Sequence, residues 1–320
     1  MRVLVYGAGN IGSLYAAKLK QSGNNVAILA RGNRFDEVHE HGLWLREFRS
    51  GRKIATRVDT VDQLAPDDSY DLVLVILPRQ SVPEVLPILA ANRNTPSVMF
   101  LGNNASGPHD MIDSLGRERV LLGFPGAAAI RDGETIQYLI LDRREQPTTI
   151  GELDGSNTKR IEAIANAFQS AGFPCATCRN MDAWLKTHVA EISPMANAFY
   201  MVGCSIEQLM RNREALGLMI RAIREGYRVL TNLGIPITPS SHKAFRWIPQ
   251  FLLVAIARRK LSDAATRIKI GHAVVARNEM SAISNDLREL ALRSGIATPA
   301  TDQLRSYLDN DEPSATHVPI

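Results

Sequence analysis

Lys186, Ala190, Ser193 and Asn197 stand at i, i+4, i+7 and i+11 in a stretch whose periodicity predicts a helix from Asp182 to about Val202. Trp184, Val189, Ile192 and Met195 fall on other sides of that helix. An ammonium on a face of small and polar residues can stabilise charge growing on a substrate oxygen and deliver a proton to it. The commoner reading of such a residue is a surface lysine, because lysine is seldom buried. His188 competes for the proton-donor role, histidine being the commonest acid–base side chain. At 3.6 residues per turn it points roughly 200° away from Lys186, so the two cannot both face one substrate.

A second constellation suits a polyanion. Arg2-Val3-Leu4-Val5-Tyr6 is an apolar, β-branched run that stops at Gly7-Ala8-Gly9-Asn10-Ile11-Gly12, after which Leu14, Ala17 and Leu19 follow a helical pattern. Strand, G-x-G-x-x-G and helix in that order form the dinucleotide-binding fingerprint. Gly7 makes the tight turn, Gly9 lets the backbone approach a pyrophosphate, and Gly12 lets helix pack closely on strand. The free N–H groups of the new helix receive the phosphate charge. Asn25 to Ala30 reads as the second strand, followed by Arg31-Gly32-Asn33-Arg34 with no carboxylate before Asp36. An acidic residue there would bind a ribose 2′-hydroxyl, whereas Arg31 and Arg34 favour a 2′-phosphate and so NADPH. A solvated surface arginine is the plainer alternative.

The elements that must position these groups follow an alternating pattern. Asp71 to Leu77 is a continuous apolar strand of the kind buried in a parallel sheet, a helix is expected near Pro83 to Ala91, and Ser97 to Leu101 and Val120 to Gly123 supply further strands. The pattern predicts a doubly wound Rossmann-type α/β sheet, with the turns at 7–12, 78–81 and 102–107 sharing one crevice at the strand carboxyl ends. Leu43 to Val58 reads as a hairpin excursion, and 127–152 as antiparallel strands closing the domain. From Lys159 helical periodicity dominates, with Ile161, Ile164, Ala165 and Phe168 on one face, and 180–308 is mostly long helices. We place a nucleotide-binding domain at 1–178 and an all-helical substrate and catalytic domain at 179–320, with a polar, frayed tail from Asp309.

Composition narrows the partners. The 320 residues are 45% hydrophobic and 22% charged with net charge +4, which is ordinary for a globular protein and large enough for two cores. No basic block interleaved with aromatics points to nucleic acid. The apolar run Phe251 to Ala257 is too short to span a membrane, and with Arg258-Arg259-Lys260 it reads as a buried helix end. The first strand begins at residue 2, so no signal peptide is expected and the cytoplasm is the expected compartment. Cys175-Ala-Thr-Cys178 lacks the second ligand pair that zinc would require, and no metal is expected. The helical half offers surfaces for a homodimer without establishing one.

The order and spacing of several short pieces resemble the ketopantoate reductase (2-dehydropantoate 2-reductase) family along nearly the whole chain. They are the N-terminal glycine loop, Arg31, the Asn103 turn, Ile130-Arg131-Asp132-Gly133, Trp184-x-Lys186 with Ser193-Pro194, and Glu279 sixteen residues before Gly295-Ile296-Ala297-x-Pro299. The resemblance implies NADPH-dependent reduction of a 2-keto acid, ketopantoate to pantoate being the leading candidate. It makes Lys186 the general acid and Glu279 the carboxylate that binds the substrate hydroxyl and orients the lysine. Asn103 would contact substrate beside the nicotinamide. Where the family commonly has asparagines after the lysine this chain has Ala190 and Ser193, with Asn197 as a substitute amide one turn on. Pro78-Arg79 stands where the family has a lysine, so Arg79 is the expected cofactor contact. The family's carboxylate-binding serine aligns with Arg267, beside Thr266, and an arginine can clamp a carboxylate bidentately. The alternatives are a reductase of another keto acid or an imine, and a non-catalytic NADPH-binding sensor.

Overall fold

A computed structural model describes residues 1–263, 266, 270 and 276–309. The chain forms two compact units. The first holds Met1–Leu185 and the residues that end at Glu279, and the second holds Lys186 onward and the run that starts at Met280. The chain therefore passes between units at Leu185–Lys186, inside a helix, seven residues beyond the expected 178/179 boundary. Arg267 and the tail beyond 309 lie outside the described residues.

The first unit is the alternating α/β pattern made real. Strand β1 (Arg2–Tyr6) leads through helix α1 (Asn10–Gln21) to β2 (Asn25–Leu29) and a helix the sequence reading missed, α2 (Asn33–His41). A hairpin, β3 (Leu43–Glu47) and β4 (Lys53–Thr56), precedes β5 (Asp59–Val61) and β6 (Leu72–Val75). Then come α3 (Val82–Ala91), β7 (Val98–Leu101), α4 (His109–Leu115), β8 (Val120–Phe124), β9 (Ala127–Asp132), β10 (Thr135–Ile140) and β11 (Thr148–Glu152). Helix α5 (Lys159–Ser170) and strand β12 (Cys175–Thr177) complete it, with the start of α6 (Met181–Met201).

The main sheet runs β12-β11-β8-β7-β6-β1-β2-β5. β1 pairs in parallel with β2 on one side and β6 on the other, so the strand order reverses at β1/β6. That reversal opens a crevice at the carboxyl ends, where doubly wound sheets bind ligands. Period-two alternation splits the core: Val3 and Val5 pack with Leu14, Tyr15 and Phe168 on one face, while Leu4 and Tyr6 pack with Leu86, Leu89 and Met111 on the other. Tyr15 stacks on Phe173 at 4.1 Å, and its hydroxyl meets Thr148 Oγ1 at 2.6 Å, which ties α1 to β11. Residues 127–140 do form antiparallel strands, but β9 and β10 join the β3–β4 hairpin in a separate sheet, β4-β3-β10-β9, through parallel pairing of β10 with β3.

The second unit is helical: the rest of α6, α7 (Ile206–Arg211), α8 (Arg213–Asn232), α9 (Gln250–Leu261), most of α10 (Arg277–Ser294) and α11 (Pro299–Asp309). Helix α8 is its hub, contacting α7, α9 and α11. Buried Glu225 accepts the Ala300 and Thr301 N–H groups at 3.0 and 2.8 Å and so caps the start of α11. Helix α9 corrects one expectation. Only Leu253 and Leu261 are buried on it, while Phe251 is 71% exposed and Leu252 and Ile256 are also exposed. Its apolar residues lie on more than one side, and the contacts with α7 and α8 cover only part of its surface. No helix among the described residues is long and apolar enough to cross a membrane.

Candidate functional site

The glycine loop shows why each glycine is there. Gly7 has φ +121°, and a Cβ on it would lie 2.3 Å from the Ile76 carbonyl oxygen. A Cβ on Gly12 would lie 1.9 Å from the Gly7 carbonyl oxygen, so any side chain there breaks the turn. A Cβ on Gly9 would meet nothing within 4 Å, which leaves the backbone open at the place where a pyrophosphate must come close. The loop with Ala8, Asn10 and Ile11 thus fits a dinucleotide.

The neighbouring turns converge on the same sheet edge. Gly7 lies against Ile76 and Leu77, and Arg79 donates to Ser106 Oγ. Asn104, which the sequence reading did not single out, accepts the Gly107 N–H at 3.0 Å and donates to the Gly107 carbonyl at 2.9 Å. It braces the turn that carries Asn103, and an Asn three residues before a Gly was the signal for it. Asn103 Nδ2 donates to Glu279 Oε1 at 2.8 Å, joining residues 176 apart in sequence. Glu279 is 7% exposed, in the first turn of α10, and the Asn103 Oδ1 is buried with no partner among the described residues.

The two arginines after β2 differ in situation. Arg31 is exposed and donates to the Tyr6 hydroxyl at 3.2 Å. Arg34 is engaged inside the protein: it donates to the Ala8 carbonyl at 3.0 Å and to Ser13 Oγ at 2.9 Å, and pairs with Glu37 at 2.7 Å.

In the second unit, Lys186 is 8% exposed at the residue where α6 enters that unit, and Glu279 is the last residue of the first unit. Further along the Lys186 face, Ser193 and Asn197 are 0% and 1% exposed. Ser193 Oγ and both polar atoms of the Asn197 amide lack a partner among the described residues. Ala190, between Lys186 and Ser193, packs closely on α8: a Cβ on Gly226 would lie 2.9 Å from the Ala190 Cβ. His188 is held down to about 4, chiefly by burial, against the pull of Glu191. It is neutral near pH 7, which disfavours it as the acid. Thr266 Oγ1 donates to the Lys260 carbonyl, in the last turn of α9, at 2.7 Å. Burial pushes the Cys175 thiol up to about 12 and raises Cys178 as well, so neither offers a thiolate near neutrality.

A crevice of this kind, in a doubly wound domain opened by a glycine-rich loop, fits a nucleotide. The family model for ketopantoate reductase PanE/ApbA matches residues 3–155. The matched stretch lies within the first unit and likens it to that family. A 2-dehydropantoate 2-reductase of Aquifex aeolicus is 22% identical over 306 residues, covering 94% of each chain. Among solved structures, a ternary structure of D-mandelate dehydrogenase with NADH and anilino(oxo)acetate superposes with TM-score 0.77 at 16% identity, covering 97% of each chain. A PanE/ApbA family ketopantoate reductase from Ralstonia eutropha JMP134 gives TM-score 0.73 at 18% identity, also covering 97% of each.

Proposed function

We propose that this protein is an NADPH-dependent reductase of 2-keto acids, with ketopantoate as the leading substrate. One observation carries the reading: buried Lys186 shares a helical face with Ser193 and Asn197, whose buried polar atoms are left for a ligand to satisfy. Buried polar groups are normally paired, and unpaired ones at a functional site point to a missing partner. The glycine loop holds the dinucleotide, Arg31 meets its 2′-phosphate, and Arg79 and Asn103 line its nicotinamide end. A bound reduced nicotinamide supplies hydride to the carbonyl carbon. Lys186 supplies the proton that turns the carbonyl oxygen into a hydroxyl, and its charge stabilises the oxyanion as it forms. Glu279, held by Asn103, accepts a substrate hydroxyl and keeps that end of the substrate oriented. Ser193 and Asn197 hydrogen-bond the substrate's polar groups, and Arg267 with Thr266 takes the carboxylate.

A second reading, reduction of a different keto acid, is favoured by Ala190. An apolar residue packed against Gly226 removes a polar contact the family commonly offers, and a D-mandelate dehydrogenase of similar fold supports a substrate other than ketopantoate. Following NADPH absorbance over a panel of 2-keto acids, ketopantoate included, separates the readings. Lys186→Met should leave NADPH affinity within twofold and lower turnover by about 10²–10⁴, the scale of a lost general acid. Undiminished turnover removes Lys186 from the mechanism. Tight NADPH binding with no oxidation on any panel member would make the protein a sensor.

A further inference from the structure

The Ile130-Arg131-Asp132-Gly133 turn plays no part in the chemistry above, yet its arginine reaches toward the cofactor loop through a chain of contacts. Arg131 Nε donates to the Gly133 carbonyl at 2.8 Å, which folds the side chain back over its own turn. Its terminal nitrogen donates to the Glu37 carboxylate on α2. Glu37 lies 2.7 Å from Arg34, and Arg34 in turn donates to the Ala8 carbonyl and to Ser13 Oγ. The Ser13 hydroxyl also donates to Ala8 O, at 3.2 Å. Burial alone would raise the Glu37 carboxyl, but the hydrogen bonds from Arg131 and Arg34 hold it below its ordinary value, so it stays ionised. The result is a row of alternating charge, plus–minus–plus, that ends on one peptide oxygen.

That oxygen matters because a trans peptide is planar, with its C=O and N–H pointing in opposite directions. Two donors pulling on the Ala8 carbonyl therefore fix the direction of the Gly9 N–H, at the one glycine of the loop with open space in front of it. We infer that Arg131 and Glu37 are positioning residues for cofactor binding, acting through Arg34 to set the Gly9 N–H for a dinucleotide pyrophosphate. The inference rests on the dinucleotide reading above and adds a role for Arg34: it orients the loop and does not read the 2′-phosphate. Because NADH and NADPH share the pyrophosphate, losing the row weakens both alike, while losing Arg31 weakens NADPH selectively.

The test titrates NADPH and NADH into the full chain by fluorescence, for the wild type and for Arg34→Ala, Arg34→Lys, Glu37→Ala, Glu37→Gln and Arg131→Ala, with Tm measured for each. Glu37→Ala should raise both dissociation constants by the same factor, on the order of tenfold, and Arg131→Ala by a smaller common factor. Glu37→Gln, which keeps the shape and one acceptor, should recover part of the loss. In an Arg34→Ala background Glu37→Ala should add almost nothing, because it acts through Arg34. A simple loss of folding stability would not give that coupling. Where Arg34→Ala lowers Tm, Arg34→Lys carries the cycle. Losses confined to NADPH would make Arg34 a phosphate ligand and overturn the inference, as would full additivity or unchanged affinities. Failure of the wild type to bind either dinucleotide would overturn the cofactor reading and this inference with it.

Discussion

Replacing Asn197 by leucine should make the ligand-free protein more stable and a poorer catalyst. Asn197 is 1% exposed, and its amide oxygen and nitrogen have no partner among the described residues. Each buried unsatisfied polar group costs about 1–3 kcal/mol, so the two together cost roughly 2–6 kcal/mol. Leucine repeats the branched skeleton of asparagine but is bulkier, and overpacking returns about 1–3 kcal/mol of that gain. The net is a stabilisation of about 1–3 kcal/mol, read as a rise in Tm of roughly 2–10 °C for a chain of this size. Ser193→Ala is the companion: it removes one orphaned hydroxyl without adding volume and should gain about 1 kcal/mol. If those atoms wait for substrate, Asn197→Leu should also lower kcat/KM by about tenfold or more. Thermal unfolding without ligand and steady-state NADPH oxidation check the two halves. A variant that loses stability and keeps its full kcat/KM would show that the amide is already satisfied and has no part in the site.

Two further predictions concern the cofactor and pH. Arg31→Ala should weaken NADPH about 10–100-fold, the scale of a charge-assisted hydrogen bond, and NADH by less than about threefold. Equal losses in the two titrations would place 2′-phosphate recognition elsewhere. In the second unit, His188 is held at about 4 by burial, so between its ordinary value and about 4 the unfolded chain takes up a proton that the folded chain refuses. Stability should fall as pH drops through that window, by at most about 3 kcal/mol because His188 keeps some accessible surface. His242 has the opposite sign. Its hydrogen bond to Glu191, at 2.5 Å, raises it, so its contribution is full below its ordinary value and fades as pH rises through the raised one. His188→Gln should flatten the acid limb of a Tm-against-pH profile and His242→Gln the alkaline limb; limbs unchanged in both variants would refute these assignments.

Much of the first unit was legible because its signals are local. Gly7 and Gly12 are dictated by sterics within a few residues, and the buried strands β1, β6 and β7 announce themselves as apolar runs. Helix α2 was missed because Asn33–His41 is polar nearly all round, with only Val38 buried, so no apolar stripe marks it. The second sheet was half legible. The 43–58 hairpin and the antiparallel character of 127–152 could be read, but the parallel pairing of β10 with β3 joins segments about ninety residues apart, and no local pattern encodes it. Within the site, Lys186 and Asn103 were legible as types in expected places. Glu37 and Asn104 were not, because their importance lies in what they touch.

The chain's own order of residues determined that a dinucleotide loop opens an α/β domain, that arginines follow the second strand, and that a lysine and two polar residues share one helical face. These are consequences of backbone sterics and helical period, which act over a few residues. Tertiary structure alone decided that Arg34 is drawn back to the Ala8 carbonyl while Arg31 stays exposed. It also decided that Asn103 meets Glu279, that Gly226 packs against Ala190, and that Ser193 and Asn197 are buried without partners. Each of these depends on which distant segment arrives beside a residue, and hydrogen bonding, burial and charge pairing act only once it has.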